Sequence, residues 1–157
     1  MSGVFGVNDI RGIYPEELDE AMAYRVGLAL PGVLAGKSVA VGHDVRLSGP
    51  SLARALTRGL TDGGCDVLDI GMCGTEMIYF ATAHYGLDGG VMVTASHNPR
   101  EYNGLKIVGR EARPLAGTPA WEKLREQVLS GRELTQPGGG SKGRAGERSR
   151  PGHSLGW

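Results

Sequence analysis

Short apolar runs alternate along this chain with longer segments whose apolar residues recur at helical spacing. Four short runs predict strands, at residues 38–42, 66–70, 90–93 and 104–108. Four longer segments predict helices, at residues 15–33, 48–62, 75–85 and 119–129. Helix and strand follow one another with short connections. This order predicts an α/β fold: a layered α/β/α domain with a mixed, mostly parallel sheet of about four strands.

The first predicted helix has proline signals at both ends. Pro15, followed by two acidic residues, suits the first helical position. Pro31 and Gly32 are expected to end or kink the same helix. Its predicted core face carries residues at helical spacing: Leu18, Met22, Val26, Ala29 and Val33. The last predicted helix turns three apolar residues inward, which are Trp121, Leu124 and Val128.

Composition divides the chain near residue 135. Residues 1–135 carry the helical and strand patterns and are predicted to form the α/β domain. Residues 136–157 are rich in Gly, Arg and Ser, with only Leu155 and Trp157 as large apolar residues. Such a segment cannot build a core of its own. We therefore predict that residues 136–157 form a disordered tail.

The charges balance, with 17 basic and 17 acidic residues in 157. No overall field favours nucleic acid or an anionic membrane, so neither is expected as a partner. No apolar run approaches the roughly 20 residues that a membrane span needs. The first residues lack a secretion signal, and a cytoplasmic location is expected. Cys65 and Cys73 are expected to be buried thiols.

Polar side chains follow the third predicted strand, where Ser96 and His97 stand in a loop that ends at Pro99. Ligands of open α/β sheets bind at the carboxyl ends of strands. Serine is a weak nucleophile without an activating base. In an extended segment neighbouring side chains point apart, which argues against a Ser96–His97 pair. The Gly-x-Ser-x-Gly turn of serine hydrolases is also absent. A phosphate carrier fits better, and an ordinary solvated turn remains the alternative.

The whole loop resembles the phosphoserine loop of the α-D-phosphohexomutases. The resemblance rests on Thr94-Ala95-Ser96-His97-Asn98-Pro99 and on Tyr102-Asn103-Gly104-Leu105-Lys106. Further segments match that family in the same order: Asp9-Ile10-Arg11-Gly12, Asp44-Val45-Arg46-Leu47-Ser48 and Asp66-Val67-Leu68-Asp69-Ile70-Gly71. The stretch from Gly71 to Thr82 is most similar to bacterial phosphomannomutases, and the chain as a whole resembles the bacterial phosphomannomutase/phosphoglucomutase group. The resemblance covers roughly Val4 to Leu129 and corresponds to the N-terminal domain, domain I, of the family.

The resemblance implies an intramolecular phosphotransferase that interconverts hexose 1- and 6-phosphates of mannose or glucose. Ser96 would carry the phosphoryl group and pass through a bound hexose 1,6-bisphosphate. Arg11 and Lys106 match positions around the phosphate, with roles in catalysis and phosphate binding. His97 matches a position beside the nucleophile, and Asn98 matches a position that binds phosphate or holds the loop. Without a functional role, Arg11 would form a simple loop ion pair with Asp9, and Lys106 would be a solvated residue of its strand.

Magnesium is the cofactor that the resemblance implies, bound through an oxygen of the phosphate on Ser96. Family enzymes supply the remaining ligands from a second domain, and this sequence contains no Asp-x-Asp-x-Asp segment. The sugar-recognition and phosphate-binding domains of the family are also expected to be missing. We therefore expect the isolated chain to be inactive, and we expect a truncated or frameshifted gene product. Translation of the downstream DNA in the other frames tests that expectation.

Asn8 departs from the family, whose close members often carry an aromatic residue there. This leaves the contacts at the rim of the site open. A non-catalytic binding or regulatory module that retains the phosphoserine loop is the alternative function. In either case the face that would pack on a second domain is expected to be partly apolar. Such a face favours self-association.

Overall fold

Six strands form one sheet in the computed structural model, which describes residues 2–130 and 142–144. The strands are β1 (Ile10–Ile13), β2 (Ser38–His43), β3 (Asp66–Met72), β4 (Gly89–Val93), β5 (Tyr102–Gly109) and β6 (Lys142–Arg144). The helices are α1 (Glu20–Leu34), α2 (Gly49–Asp62), α3 (Thr75–His84) and α4 (Pro119–Leu129). Two short 3-10 segments are Ser2–Val4 and Arg110–Ala112.

The sheet is mixed, with the order β1-β5-β4-β2-β3-β6. Strand β2 runs parallel to β3 and β4, and β6 runs parallel to β3. Strand β5 runs antiparallel to both of its neighbours. The predicted mixed, mostly parallel sheet is therefore confirmed, with more strands than the expected four. The short β1 lies outside the four predicted strands, and β6 lies within the predicted tail.

Helices cover both faces of the sheet, as the layered prediction requires. Helices α1, α2 and α4 pack on one face around a core that includes Val26, Leu56 and Leu124. Helix α3 covers the other face through a smaller core with Ile78 and Met92. Strand β4 is buried along its whole length between these layers. This strand leads directly into the loop that carries Ser96.

Helix α1 differs from its prediction at both ends. It begins at Glu20 rather than near Pro15, because the Asp19 carboxylate caps it by accepting a hydrogen bond of 2.9 Å from the Met22 N–H. At the other end the helix continues through Pro31 to Leu34. Proline removes one backbone hydrogen bond, but less than one turn remains beyond it. Burial of the helix face earlier in α1 outweighs that loss.

The last helix agrees with its prediction over its full length. Helix α4 begins after Thr118, whose hydroxyl caps it by accepting from the Trp121 N–H. Trp121, Leu124 and Val128 are buried as predicted. The Trp121 ring packs at 5.6 Å from the ring of Phe5, which joins the helix to the start of the chain.

Most of the predicted tail lies outside the described residues, so its disorder stays a prediction. Within it, Lys142–Arg144 pairs with β3 as a short strand.

None of the helices in the described part of the chain is long and apolar enough to cross a membrane. Cys65 is a buried thiol, and burial raises its pKa to about 12. Cys73 is half-buried, and its pKa is also raised, chiefly by burial.

Candidate functional site

The loop after β4 rises from the buried sheet to the surface within two residues. Thr94 and Ala95 are buried, whereas Ser96 and His97 are exposed. The neighbouring strand β2 ends at the same edge, where the Asp44 N–H donates to the Val93 carbonyl at 3.1 Å. The predicted position of Ser96 beyond the carboxyl end of a central strand is therefore what the structure shows.

Ser96 has a left-handed backbone, with φ of 53°. Its N–H donates to the Thr94 hydroxyl at 3.0 Å, and the Asn98 N–H donates to the Ala95 carbonyl at 3.0 Å. The loop is thus a tight turn, and the extended geometry assumed from the sequence at Ser96 is wrong. In the described part of the chain no hydrogen bond joins the Ser96 hydroxyl to the His97 ring. The serine-hydrolase alternative gains no support.

Arg46 lies under this turn and binds the loop backbone. Its guanidinium donates to four carbonyl oxygens, those of Ser96 at 3.0 Å, Asn98 at 2.7 Å, Pro99 at 2.6 Å and Tyr102 at 3.0 Å. The Arg46 side chain is only 11% exposed. The sequence marked the segment from Asp44 to Ser48 as a family match but gave no role to Arg46. A polar residue at the end of the neighbouring strand was the one available signal.

Asp44 connects Arg46 to the base of the same loop. One of its carboxylate oxygens accepts from the Arg46 backbone N–H at 3.1 Å. The other accepts from the Thr94 hydroxyl at 2.7 Å and lies 3.6 Å from Nε of Arg46. A continuous path of hydrogen bonds therefore runs from the Ser96 N–H through Thr94 to Asp44.

Arg11 reaches the loop from β1, which lies on the opposite side of β4 from β2 and Arg46. Its guanidinium donates to the Asn98 side-chain oxygen at 2.5 Å and forms an ion pair with Asp9. The loop ion pair weighed from the sequence is therefore present, together with a contact to the loop. Among the described residues, Nε of Arg11 is a buried nitrogen without a hydrogen-bond partner. The Arg11 guanidinium therefore keeps one unused N–H donor in addition to its bonds to Asp9 and Asn98.

Lys106 lies on β5, which separates β1 from β4 in the sheet. Arg11 is paired with Gly104, and Lys106 is two residues further along the same strand. Because side chains alternate along a strand, Arg11 and Lys106 lie on the same face of the sheet. Lys106 is half-buried rather than fully solvated. No hydrogen bond among the described residues links Lys106 to Ser96 or His97.

Close backbone packing holds β1, β5 and the loop together at Gly104. A Cβ atom there would lie 2.5 Å from the Ile10 carbonyl oxygen and 2.8 Å from that of Thr94. The next residue back, Asn103, is buried and donates to the Ser48 hydroxyl at 2.7 Å. These contacts fix Arg11 and the Ser96 loop relative to each other.

A cleft of about 210 Å³ lies beside the far end of the loop, and its lining residues are Tyr14, Leu47, Ser48, Ser51, Arg100 and Glu101. The Glu20 carboxylate adjoins it and accepts hydrogen bonds from the hydroxyls of Tyr14 and Ser51. The bond from Tyr14 is the main cause that lowers the pKa of Glu20, and the same bond raises the pKa of Tyr14. This polar cluster supports the cleft but is separate from the exposed Ser96 hydroxyl.

Metal ligands are sparse around the loop. Across residues 2–130 and 142–144, no group of three or more His, Cys, Asp or Glu side chains is placed to hold a metal ion. The Asp44 carboxylate is already engaged by Arg46 and Thr94. The described residues therefore do not fit a complete magnesium site.

Together these contacts present one exposed hydroxyl on a rigid turn, with cationic side chains beneath and beside it. The structure brings Arg11 together with Asn98, and it places Lys106 on the same face as Arg11. His97 is exposed next to Ser96. Such an arrangement suits an oxygen nucleophile that gains a dianionic group, because fixed positive charge stabilises the product.

The known proteins that this chain resembles are described as sugar-phosphate mutases. The family model described as "Phosphoglucomutase/phosphomannomutase, alpha/beta/alpha domain I" matches residues 2–134. A protein of Xanthomonas campestris described as "Phosphohexose mutases" is 50% identical over 126 residues, 80% of this chain and 28% of that protein. A Klebsiella pneumoniae phosphomannomutase is 57% identical over 113 residues, 72% of each chain.

Solved structures give the same result at the level of the fold. The crystal structure of a phosphoglucomutase/phosphomannomutase family protein from Burkholderia thailandensis superposes with a TM-score of 0.81 at 35% identity. The match covers 92% of this chain and 33% of that protein. The chain thus spans about a quarter to a third of the length of several of the relatives that it matches.

Proposed function

Because the chain belongs to the phosphoglucomutase/phosphomannomutase family, of which it carries domain I, we propose that Ser96 is its phosphoryl carrier. The proposed reaction is the interconversion of hexose 1-phosphate and hexose 6-phosphate, with mannose or glucose as the sugar. The observation that carries the proposal is the Ser96 turn itself. It combines an exposed hydroxyl, a backbone bound by Arg46 and a buried Arg11 nitrogen without a partner among the described residues.

The proposed transfer exchanges one phosphorus–oxygen bond for another. The Ser96 Oγ forms a bond to the phosphorus of a hexose 1,6-bisphosphate while the bond from that phosphorus to the sugar oxygen breaks. The proton of the Ser96 hydroxyl passes to the sugar oxygen, which leaves a hexose monophosphate. In a second step the phosphate passes from Ser96 to the other hydroxyl of a hexose monophosphate, the bond from Ser96 Oγ to phosphorus breaks, and the proton of that hydroxyl passes to Ser96 Oγ. Phosphoryl transfer of this kind depends mainly on positioning and charge neutralisation.

Four neighbouring residues have proposed roles in this step. Arg11 binds phosphate oxygens through its planar guanidinium, and its contact with Asn98 holds it toward the loop. Lys106 supplies a movable positive charge from the same face of the sheet. His97 assists proton movement or contacts substrate from its exposed position. Asn98 takes part in phosphate binding chiefly by orienting Arg11.

Magnesium stays a proposed cofactor that needs carboxylate ligands in addition to those described. Mg²⁺ is held by one or two carboxylates together with phosphate oxygens, and it neutralises charge when bound. A phosphate on Ser96 would supply one oxygen ligand. No cluster of carboxylates among the described residues completes that site. We therefore assign the chain's own residues to holding the phosphate and not to holding the metal.

We propose that the 157-residue chain by itself does not turn over hexose phosphates. Several relatives that it matches are about three times as long as this chain, and the described residues supply one wall of a site. The proposed location is the cytoplasm.

Self-association is also proposed, through exposed apolar side chains on or next to α3, namely Met72, Met77 and Phe80. Sedimentation over a concentration series tests it, and a monomer at every concentration would contradict it.

The test is transfer of labelled phosphate from glucose 1,6-bisphosphate or mannose 1,6-bisphosphate to the purified chain. We expect label on Ser96 and none in the Ser96→Ala variant. A coupled assay for mannose 1-phosphate conversion is expected to show negligible turnover in the same sample. Label on another residue, or equal labelling of Ser96→Ala, would refute the assignment. Binding of the sugar phosphates without any label would favour a non-catalytic binding or regulatory module.

A further inference from the structure

We propose that Asp44 and Arg46 act as a positioning clamp that holds the Ser96 hydroxyl for phosphoryl transfer. The inference rests on the proposed function of Ser96 and adds two residues that do not touch the reacting atoms. It starts from one geometric fact, that a single guanidinium binds four backbone carbonyls of the loop.

The four carbonyls begin at the reactive residue and follow it along the chain. They belong to Ser96, to Asn98 and Pro99 just after it, and to Tyr102 at the start of β5. Four carbonyls can converge on one centre only if the chain curls around it. The carbonyl of Ser96 is therefore held toward the protein, while its side chain remains exposed.

Asp44 contacts both the guanidinium of Arg46 and Thr94, where the turn begins. Its carboxylate lies 3.6 Å from Nε of Arg46 and accepts from the Thr94 hydroxyl, which in turn accepts from the Ser96 N–H. Both backbone polar groups of Ser96 are thus tied to the same pair, the N–H through Thr94 and the carbonyl through Arg46. These contacts form a closed ring around the Ser96 backbone, which sets the direction of the Ser96 side chain.

The clamp also has an electrostatic consequence. Phosphorylation adds up to about two negative charges to a serine. Arg46 places a positive charge next to the carbonyl of the residue that receives them, and Asp44, 3.6 Å from Nε of Arg46, offsets part of that charge. A lysine at this position would keep the positive charge but would lose the planar arrangement of N–H donors. The substitution therefore tests the geometry of the donors separately from the charge.

Two variants and one control test the clamp in the full 157-residue chain. Arg46→Lys keeps the charge, and Arg46→Ala removes it. Arg100→Ala is the matched control, because it removes an exposed arginine from the same loop for which no hydrogen bond is found in the described part of the chain. The first readout is amide hydrogen exchange at Ser96, Asn98 and Tyr102, compared with strand amides at Val91 and Val108.

We expect exchange at the three loop amides to be about tenfold faster or more in Arg46→Lys, with the strand amides within about twofold of wild type. The second readout is phosphate labelling of Ser96 from glucose 1,6-bisphosphate. Its maximal rate should fall about tenfold or more in Arg46→Lys, while the half-saturating concentration stays within about threefold. Arg100→Ala should match the wild type in both readouts.

Unchanged loop exchange in Arg46→Lys would overturn the clamp. So would equal acceleration of loop and strand amides, because that indicates a general loss of stability. A wild-type labelling rate in Arg46→Lys would also contradict it. If the wild-type chain takes no label, the proposed function of Ser96 fails, and the exchange data alone decide whether Arg46 holds the loop. If Arg46→Ala does not fold, Arg46→Lys carries the test.

Discussion

Ser96 combines an exposed hydroxyl with a backbone conformation that few non-glycine residues adopt. A left-handed φ of 53° costs on the order of 1 kcal/mol or more at such a residue. The surrounding contacts offset this cost, since the Ser96 N–H and carbonyl are both bound by neighbouring side chains. Strain of this kind persists where the surroundings determine the conformation, and it concentrates at functional sites.

Among the side chains around the turn, we expect the Thr94 hydroxyl to contribute most to stability, because it joins Ser96 to Asp44. It accepts from the Ser96 N–H and donates to Asp44, and Thr94 is buried. Thr94→Val preserves the shape but leaves both partners with one hydrogen bond fewer. We expect a loss of about 1–3 kcal/mol in the free energy of unfolding, measured by urea denaturation.

Thr61→Val is the control for that substitution. The Thr61 hydroxyl donates to the Arg58 carbonyl within α2, away from the loop. Its loss should change the free energy of unfolding by no more than about 0.5 kcal/mol. Equal effects of the two substitutions would show that the Thr94 link contributes nothing special to the turn.

At the scale of elements, α1 and α2 approach each other closely through glycine. A Cβ atom at Gly27 would overlap the Leu56 carbonyl oxygen and lie 2.8 Å from the Leu60 backbone nitrogen. Gly59 on α2 faces the same contact, where a Cβ atom would lie 3.1 Å from Cα of Gly27. The absence of side chains at these two positions lets the helix backbones touch.

Two glycines of α1 therefore respond oppositely to alanine. Gly27→Ala should destabilise the protein by about 1–3 kcal/mol, because the added methyl group meets backbone that cannot move alone. Gly32→Ala has open space around it and should stabilise the helix by about 0.5–1 kcal/mol. Thermal unfolding of both variants is the measurement. A destabilised Gly32→Ala, or a neutral Gly27→Ala, would contradict this account of the helix contact.

Asp88 joins separate elements at the sheet end opposite the Ser96 loop. Just before β4, it accepts from the Lys37 N–H at 2.8 Å, from the Ser38 hydroxyl at 3.0 Å and from Arg110 at 2.9 Å. Burial acts to raise the pKa of Asp88, but these hydrogen bonds outweigh it and the pKa lies below the usual 3.8. The folded state therefore binds the proton more weakly than the unfolded state.

This direction fixes the pH dependence. The stabilisation from the Asp88 carboxylate is fully present above the unfolded pKa near 3.8 and is lost as the pH falls through the lower folded value. We expect wild type to exceed Asp88→Asn in urea midpoint at neutral pH, and the difference to shrink below about pH 4. Glu111→Gln, which removes an exposed carboxylate, is the control. A difference that stays constant down to about pH 2 would contradict the assignment.

Local patterns predicted most elements because their signals lie within a few residues. The spacing of Trp121, Leu124 and Val128 located α4, and the apolar run ending at Val93 located β4. Pro15 misplaced the start of α1, because the Asp19 cap competes with proline for that role. The convergence of Arg46 on the Ser96 loop joins residues about fifty positions apart. Such a contact depends on the strand order, which local patterns do not contain.

At the scale of the whole molecule, the described residues present one wall of the proposed site. Ser96 lies beyond the end of β4, Arg11 and Lys106 lie on one face of the neighbouring strands, and the described residues offer no carboxylate cluster for a metal ion. Relatives such as the Xanthomonas protein are several times longer. Full turnover is therefore expected to require more surface than this domain supplies, whereas we propose that phosphorylation of Ser96 requires the loop, Arg11, Lys106 and a phosphate donor.

The central claim, that Ser96 carries phosphate, is tested most directly by the intact mass of the chain after co-expression with an active hexomutase. We predict one phosphate per chain, located on Ser96 by peptide mapping, and its complete absence in Ser96→Ala. An unmodified wild-type chain, or a phosphate that persists in Ser96→Ala, would contradict the account.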